Sequence, residues 1–383
     1  TVTCQNGILR CIGAVEPEAE TCNGLDDDCD GNTDLSGCQY ITGTDVRVDA
    51  ATAAGQYNSI QVDAAAYGTH VYVAWADRRT TSQIHFARST DSGASFSTEI
   101  RVYNSANNQM HPQVAVNPAN GHVYLFWEEF FSNQRDIQFA RSTDGGATFS
   151  APVRVTNSTL DSINASLTIA PDGTLYLLHE DYREQAGTTL PYRNVYLNTS
   201  TNEGASWSSD IRVNRGGAVT SSFAMRSRGA VSSSGRYFVV FEDQRNGRPD
   251  IYLNYTDDRG TNWLAADVRI SGGTPGASST TRPRIAAGGG MVYVVYEDVR
   301  DGTISSMYLN RSLDDGVNWQ ASDTLLSSGT AHAFDAQMAL APDGRLHIVF
   351  QDYAEGLPLI RCLSSSDSGA SFSSAIVDAR RGF

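Results

Sequence analysis

One short motif recurs six times along the chain, with the pattern Ser/Thr-x-Asp-x-Gly-x-x-Phe/Trp. Successive copies lie 53 to 58 residues apart. A fixed period of this length is typical of a propeller or a solenoid, in which each repeat is one supersecondary unit. The third position of the motif is Asp in five copies and Asn in one: Asp91, Asp144, Asn202, Asp258, Asp314 and Asp367.

Each repeat also contains four short apolar segments separated by turn residues. Residues 112–116 open one repeat, residues 123–129 end in an aromatic-acid-acid pattern, residues 136–141 run into the motif, and residues 153–155 follow it. These segments are rich in β-branched and aromatic residues, which favour strands. Four strands in each of six repeats predict an all-β fold, a six-bladed β-propeller over residues 44–383.

The motif has a mechanical interpretation in the turn after the third strand. The Asp side chain is expected to accept hydrogen bonds from turn amides, the Gly permits positive φ, and the aromatic ring fills the gap between strands. The motif matches the Asp-box, or BNR repeat, and the chain resembles the sialidase-like six-bladed propellers. The resemblance implies the fold and not the chemistry, because this superfamily includes binding and scaffold proteins.

Residues 1–40 differ from the rest and are interpreted as a separate Cys-rich arm. The spacing Asp-x-Asp-x-Asp-Gly-x-x-Asp matches the first nine positions of an EF-hand-type loop. The arm also resembles the Cys-flanked, Asp-rich metal-binding repeats of secreted bacterial proteins. We expect one Ca²⁺ bound by four carboxylates and one carbonyl; the alternative is a solvated acidic loop. The predicted ligands are Asp26, Asp28, Asp30, Asn32 and Asp34.

Six cysteines favour an oxidising compartment and allow fifteen pairings. They are Cys4, Cys11, Cys22, Cys29, Cys38 and Cys362. Locality favours Cys4 with Cys11 and Cys22 with Cys29. Cys38 then remains for Cys362 in the last repeat, unless one of these two forms an intermolecular disulfide.

Composition excludes several classes of partner and reaction. The net charge of −15 makes nucleic acids and anionic membranes poor partners. No apolar segment is long enough to span a bilayer. All 28 basic residues are Arg, so lysine Schiff-base chemistry is excluded. Thr1 is interpreted as a processed terminus, consistent with a secreted or cell-surface protein.

A ring of acids follows the second strands, on the face away from the Asp-boxes: Asp77, Glu129, Asp181, Asp243, Asp298 and Asp352. Arginines stand two residues later in four repeats: Arg79, Arg183, Arg245 and Arg300. This ring is either a polar binding surface or a set of structural ion pairs. Its repetition in nearly every blade favours ion pairs.

A second arginine cluster is the candidate ligand site. Arg226, Arg228, Arg282 and Arg284 are predicted on inter-blade loops of adjacent blades, where bidentate arginines suit a carboxylate. The sialidase resemblance implies an Arg-Ile-Pro segment before the first Asp-box, but residues 44–70 contain none. This absence favours a non-catalytic protein.

The sequence therefore predicts a secreted, calcium-stabilised propeller that serves as a structural or binding subunit. The alternative is a sialidase-like glycoside hydrolase or a carbohydrate-binding propeller with a glycan ligand. Residues 45–48 and 375–378 both resemble an outer strand of blade six. This surplus predicts homotypic assembly into a layer or filament through the arm and the blade-six edge; a monomer with both strands paired internally is the other outcome.

Overall fold

The computed structural model describes residues 2–5, 8–11, 46–49, 58–79, 81–156, 158–185, 192–216 and 223–377. The chain divides into two compact units, Thr1–Arg47 and Val48–Phe383. In the first unit, β1 (Val2–Gln5) and β2 (Ile8–Cys11) form an antiparallel hairpin. The predicted calcium ligands and Cys22, Cys29 and Cys38 lie outside the described residues, so the calcium site and the disulfides stay predictions.

The second unit is built from six four-stranded antiparallel sheets, as predicted for a six-bladed propeller. The four strands of each blade follow one another in the chain, and a 3₁₀ turn, Arg183–Gln185, follows the second strand of blade three. The strands, blade by blade, are β3 (Ser59–Tyr67), β4 (His70–Asp77), β5 (Gln83–Ser89), β6 (Ile100–Arg101); β7 (Gln109–Val116), β8 (Val123–Phe131), β9 (Gln134–Ser142), β10 (Val153–Arg154); β11 (Ser162–Ile169), β12 (Leu175–Asp181), β13 (Asn194–Ser200), β14 (Ile211–Arg212); β15 (Met225–Val231), β16 (Tyr237–Asp243), β17 (Asp250–Thr256), β18 (Val268–Arg269); β19 (Thr280–Gly288), β20 (Met291–Asp298), β21 (Ser306–Ser312), β22 (Thr324–Leu325); β23 (Ala333–Leu340), β24 (Leu346–Asp352), β25 (Leu359–Ser365) and β26 (Ser373–Ile376).

The core lies between the blades rather than inside any one of them. Every residue of β16 is buried, because its alternate side chains pack on opposite neighbours. Tyr237 and Val239 pack against blade three, whereas Phe238 and Val240 pack against blade five. Equivalent apolar clusters fill the junctions one–two, two–three and five–six. The blades are therefore held together chiefly by apolar burial.

The Asp-box has the predicted hydrogen bonds in its turn. Ser89 Oγ donates to Asp91 Oδ1 at 2.6 Å, the Ser95 amide donates to the same oxygen at 2.9 Å, and the Gly93 amide donates to Ser89 Oγ at 2.8 Å. The other five boxes repeat these contacts, including the one with Asn202. These hydrogen bonds hold the pKa of Asp91 near 2.

The sequence pattern predicts that the aromatic residue of the box fills a gap between strands. In the structure this residue packs against the preceding blade instead. Phe149 packs edge-on against Phe86 of the preceding blade with ring centroids 4.9 Å apart, and Trp207 packs on Phe139 at 5.1 Å. The box is therefore a joint between neighbouring blades. Its Gly is needed because the preceding blade lies so close.

The outer strand of blade six is β26, which pairs with β25. Residues 46–49 have no strand conformation. Within the described part of the chain, the apolar clusters join blade one to blade two and so on to blade six. No cluster, hydrogen bond or ion pair between described residues joins blade six to blade one.

Replacing Gly204 tests the joint between boxes and blades. Gly204 has φ +78°, and an added Cβ would lie 2.0 Å from the Phe139 ring. We expect Gly204→Ala to lower the free energy of unfolding by about 3 kcal/mol or more, through overpacking and backbone strain together. The matched control is Gly173→Ala, which has φ +83° but nothing within 4 Å of the added Cβ. It should cost about 1 kcal/mol. Equal losses in urea denaturation would contradict the proposed joint.

Candidate functional site

Four acids of the ring after the second strands, Asp77, Asp181, Asp243 and Asp298, form structural ion pairs. Arg245 Nη2 lies 2.6 Å from Asp243 Oδ2 and 2.7 Å from Asp267 Oδ2, and both carboxylates are fully buried. Its guanidinium carbon lies 4.1 Å above the centroid of the Tyr252 ring. The same arrangement, an arginine between two acids of its own blade, recurs at Arg79, Arg183 and Arg300. The ion-pair interpretation is therefore the right one for these four blades.

A repeated backbone feature positions the second arginine cluster. The first strand of each blade bends at one residue with φ between 51° and 56°, where its register with the second strand shifts. These bulge residues are Gln61, His111, Asn164, Arg226, Arg282 and Asp335. The bulge lies beside the end of the second strand, opposite the Asp-box end of the sheet.

The bulge amide binds a buried glutamate of the preceding blade. The amide of Arg226 donates to Glu180 Oε1 at 2.6 Å, and that of Arg282 donates to Glu242 Oε1 at 2.7 Å. Asn164 and Asp335 donate in the same way to Glu128 and Glu297. At each of these four junctions a charge-assisted hydrogen bond supports an otherwise unfavourable backbone conformation.

The bulges surround a cavity of about 300 Å³. All four arginines singled out in the sequence line it, but they lie on β15 and β19 and not on inter-blade loops as predicted. The first strands extend further than their apolar pattern indicates, because the bulge continues the sheet across polar residues. The remaining described lining residues are Gln113, Asn164, Ala165, Glu180 and Asp335. Sequence reasoning missed these five, since no blade has a glycine at the bulge position to mark the positive φ.

Arg226 and Arg282 have carboxylate partners. Arg226 Nη1 lies 2.9 Å from Glu242 Oε2, and Arg282 Nη1 lies 3.0 Å from Glu297 Oε2. Their side chains are still half exposed. Burial raises the pKa of both Glu242 and Glu297 above the ordinary value, against the opposing effect of the arginines and amides. These two pairs carry little net charge into the cavity.

Arg228 and Arg284 make no ion pair with any described carboxylate. Arg228 Nη1 donates to the Ser227 carbonyl at 2.8 Å, and Arg284 Nη1 donates to the Pro283 carbonyl at 3.0 Å. Burial lowers the pKa of both groups, and the charge of Arg284 lowers the pKa of Arg228 further. Guanidinium groups nevertheless remain protonated in proteins. Two like charges therefore share one cavity, and an anion between them would relieve their repulsion.

The buried acid of the cavity is held by protein contacts, and the cations and amides face the open space. Glu180 is fully buried, and its oxygens accept from the Arg226 amide and, at 2.8 Å, from Arg193. The described lining residues include no tyrosine that would serve as a sialidase-type nucleophile. No group of three metal-ligating side chains occurs among the described residues. The arrangement offers guanidinium groups to a carboxylate or sulfate, and amides to hydroxyl groups.

A family model for the BNR repeat-like domain matches residues 84–377. The chain belongs to this family. No curated protein matches its sequence at a significant level. No helix in the described ranges is long and apolar enough to cross a membrane.

Solved structures share the fold at low sequence identity. An ulvan lyase of polysaccharide lyase family PL25, bound to a GlcA–Rha3S saccharide, is 10% identical with a TM-score of 0.57, over 82% of this chain and 81% of that one. The GH93 α-L-arabinofuranosidase of Fusarium graminearum with arabinobiose is 17% identical with a TM-score of 0.52, over 81% and 94%. The Hadza microbial sialidase Hz136 is 15% identical with a TM-score of 0.49, and the match covers 76% of this chain but 63% of the sialidase. At these identities the likeness shows the fold alone.

Two arginine substitutions distinguish the structural cluster from the cavity. Arg245→Met should destabilise the fold by about 3 to 5 kcal/mol, because it removes the cation that lies between the buried carboxylates of Asp243 and Asp267. Arg228→Met should leave the free energy of unfolding unchanged or raise it by about 1 kcal/mol, because it removes a partly buried cation that has no ion pair. Urea denaturation compares the two. A large loss in Arg228→Met would mean that Arg228 serves stability instead of a ligand.

Proposed function

We propose that this protein is a secreted, non-catalytic propeller that binds acidic saccharides in its central arginine cavity. The observation that carries the proposal is the pair Arg228 and Arg284, two cations that line one cavity and have no carboxylate partner among the described residues. Keeping unpaired charges partly buried costs stability, and a functional ligand offsets this cost. The family supports the proposal at the level of the fold, which is the fold of several carbohydrate-active proteins.

The chemistry of the lining selects a carboxylated or sulfated sugar over a bare anion. Arginine forks bind the acid group, while the side chains of Asn164 and Gln113 supply amide donors and acceptors for ring hydroxyls. The ulvan lyase with the same fold is bound to a saccharide that contains glucuronic acid. This precedent adds support for an acidic sugar as ligand, although the two chains are only 10% identical.

A glycoside hydrolase of sialidase type is the second candidate, and one residue favours it. Asp335 is the most exposed carboxylate lining the cavity, at 57%, and lies 3.7 Å from Arg282 Nη1. A carboxyl group that is open to the cavity can reach a bound sugar as a general acid or base. Hydrolysis also needs a second reactive group, and the buried glutamates are held by amides and arginines. Binding without turnover is therefore the stronger proposal.

The proposal keeps two features that rest on the sequence. Secretion follows from the cysteine content, and calcium is expected at Asp26, Asp28, Asp30, Asn32 and Asp34 in the arm. In this proposal calcium stabilises the arm, and the saccharide site belongs to the propeller.

Calorimetric titration with a glucuronic acid disaccharide, N-acetylneuraminic acid and a neutral glucose disaccharide tests the site. We expect an acidic sugar to bind and the neutral one not to bind. Arg228→Met and Arg284→Met should each weaken binding about 10-fold or more, because each removes a charge-assisted contact. The matched control is Arg259→Met, an exposed arginine paired with Asp172 away from the cavity, and it should bind like the wild type. Equal affinity for the neutral sugar, or no effect of the two cavity variants, would refute the proposal; release of monosaccharides from sialyl or glucuronyl glycosides would favour the hydrolase.

The affinity for acidic sugars should rise as the pH falls from 7 to 5. Because their pKa values are raised, Glu242 and Glu297 take up protons at a higher pH than exposed glutamates do. Protonation removes negative charge from the cavity and releases Arg226 and Arg282, whereas the sugar carboxylate stays ionised. Glu242→Gln keeps the acceptor for the Arg282 amide and should bind more tightly than the wild type at pH 7, with a flatter pH profile. A wild-type affinity that falls on acidification would contradict this electrostatic account.

A further inference from the structure

The six blades have five packed junctions, which leaves one face unpaired at each end of the described array. In every blade from one to five, alternate residues of the second and third strands pack on the following blade. In blade five these residues are Tyr293, Val295, Met307 and Leu309, and all four are fully buried. The corresponding positions of blade six are His347, Val349, Ile360 and Cys362, each partly exposed. We call these four residues the blade-six face.

Blade one has the complementary half of a junction. The residues that would pack on a preceding blade are Val71, Val73 and Trp75 of β4 and Phe96 of the first Asp-box. Trp75 is buried, whereas Val71, Val73 and Phe96 are partly exposed. At the other junctions the box glycine lies against the preceding blade, as Gly146 lies against Phe86. A Cβ on Gly93 would meet only Val71, of its own blade, within 4 Å. We call Val71, Val73 and Phe96 the blade-one face.

The blade-six face lacks the polar anchors of the other junctions. At four junctions an arginine donates to a carbonyl of the next Asp-box: Arg88, Arg141, Arg236 and Arg311. Blade six has Ser364 at the position of Arg311, and Ser364 Oγ instead contacts His347 Nδ1 at 2.8 Å. It also has Gln351 where blades two to five have the glutamate that accepts the bulge amide. What remains is an apolar surface without fixed charge pairs, as expected for a reversible contact.

We propose that the blade-six face binds the blade-one face of a second copy of this chain. The five internal junctions show which surface fits such a face, namely the first strands and Asp-box of a blade of this chain. No apolar cluster, hydrogen bond or ion pair between described residues joins the chain's own blade one to this face. The contact joins two different surfaces, so each added copy presents a new blade-six face, and the assembly grows as an open chain. This goes beyond the proposed saccharide binding and does not depend on it.

Cross-linking between isotopically labelled copies tests the proposal. By the repeat, Phe96 takes the place relative to Cys362 that Phe149 takes relative to Phe86. The variant Phe96→Cys is prepared with ¹⁴N and with ¹⁵N in a Cys38→Ser background, which keeps Cys362 out of its predicted disulfide with Cys38. The two are mixed as full chains, and a short thiol cross-linker is added. We expect peptides joining positions 96 and 362 that carry one label of each kind. Joined peptides of a single label would show that blade six closes on its own blade one, and no joined peptide would also overturn the proposal. Cys362→Ser in the same background is the control and should abolish the product.

Sedimentation of the unmodified protein supplies an independent readout. The average mass should increase with concentration, and Val349→Asp should weaken association at least 10-fold, because it places a charge in the apolar contact. The matched control is Val317→Asp, at a valine that is 65% exposed on the box of blade five, and it should associate like the wild type. A wild type that stays monomeric at all concentrations, or equal effects of the two variants, would refute the proposed contact.

Discussion

The hydrogen bond between a bulge amide and a buried glutamate of the preceding blade connects the architecture to the candidate site. At four junctions the glutamate carboxylate accepts a hydrogen bond from a backbone N–H that the bulge has removed from the regular pairing of the strands. Because the carboxylate is buried, losing the contact would leave the amide without its acceptor and the carboxylate with one partner fewer, so the register of the first strand is tightly specified. The side chains at and beyond the bend are thereby directed into the cavity. The hydrogen bond that joins neighbouring blades thus also determines which side chains line the cavity.

The repeat in the sequence was enough to predict the fold, because each blade carries its own complete set of signals. Strand composition, an Asp-box and an aromatic residue recur in phase, and the structure has six four-stranded sheets at the expected places. The aromatic residue was placed wrongly because a repeat pattern does not distinguish contacts within one unit from contacts between units. Phe149 and Phe86 are separated by a whole blade in sequence, and only the packing of neighbouring sheets brings them together.

The candidate site was predictable in its arginines and not in its surroundings. Arg226, Arg228, Arg282 and Arg284 are conspicuous because they repeat in two blades, and the cavity does contain all four. Asn164 and Asp335 carry no such signal, since a bulge with positive φ at a residue other than glycine follows from tertiary contacts. The difference between the paired and unpaired arginines is likewise set by distance. Glu242 and Glu297 stand within reach of two of them, and no described carboxylate stands within 4 Å of the others.

The four strands of every blade are contiguous in the chain, and none is exchanged with another blade. During synthesis, the ribosome therefore releases the residues of one complete blade at a time, with one Asp-box every 53 to 58 residues. Each blade forms its hairpins from local pairings and then packs on the blade made just before it, so folding needs no segment that has yet to be translated. Growth of the core in the direction of translation protects the first five apolar faces in turn. Among the described residues, no later blade covers the blade-six face.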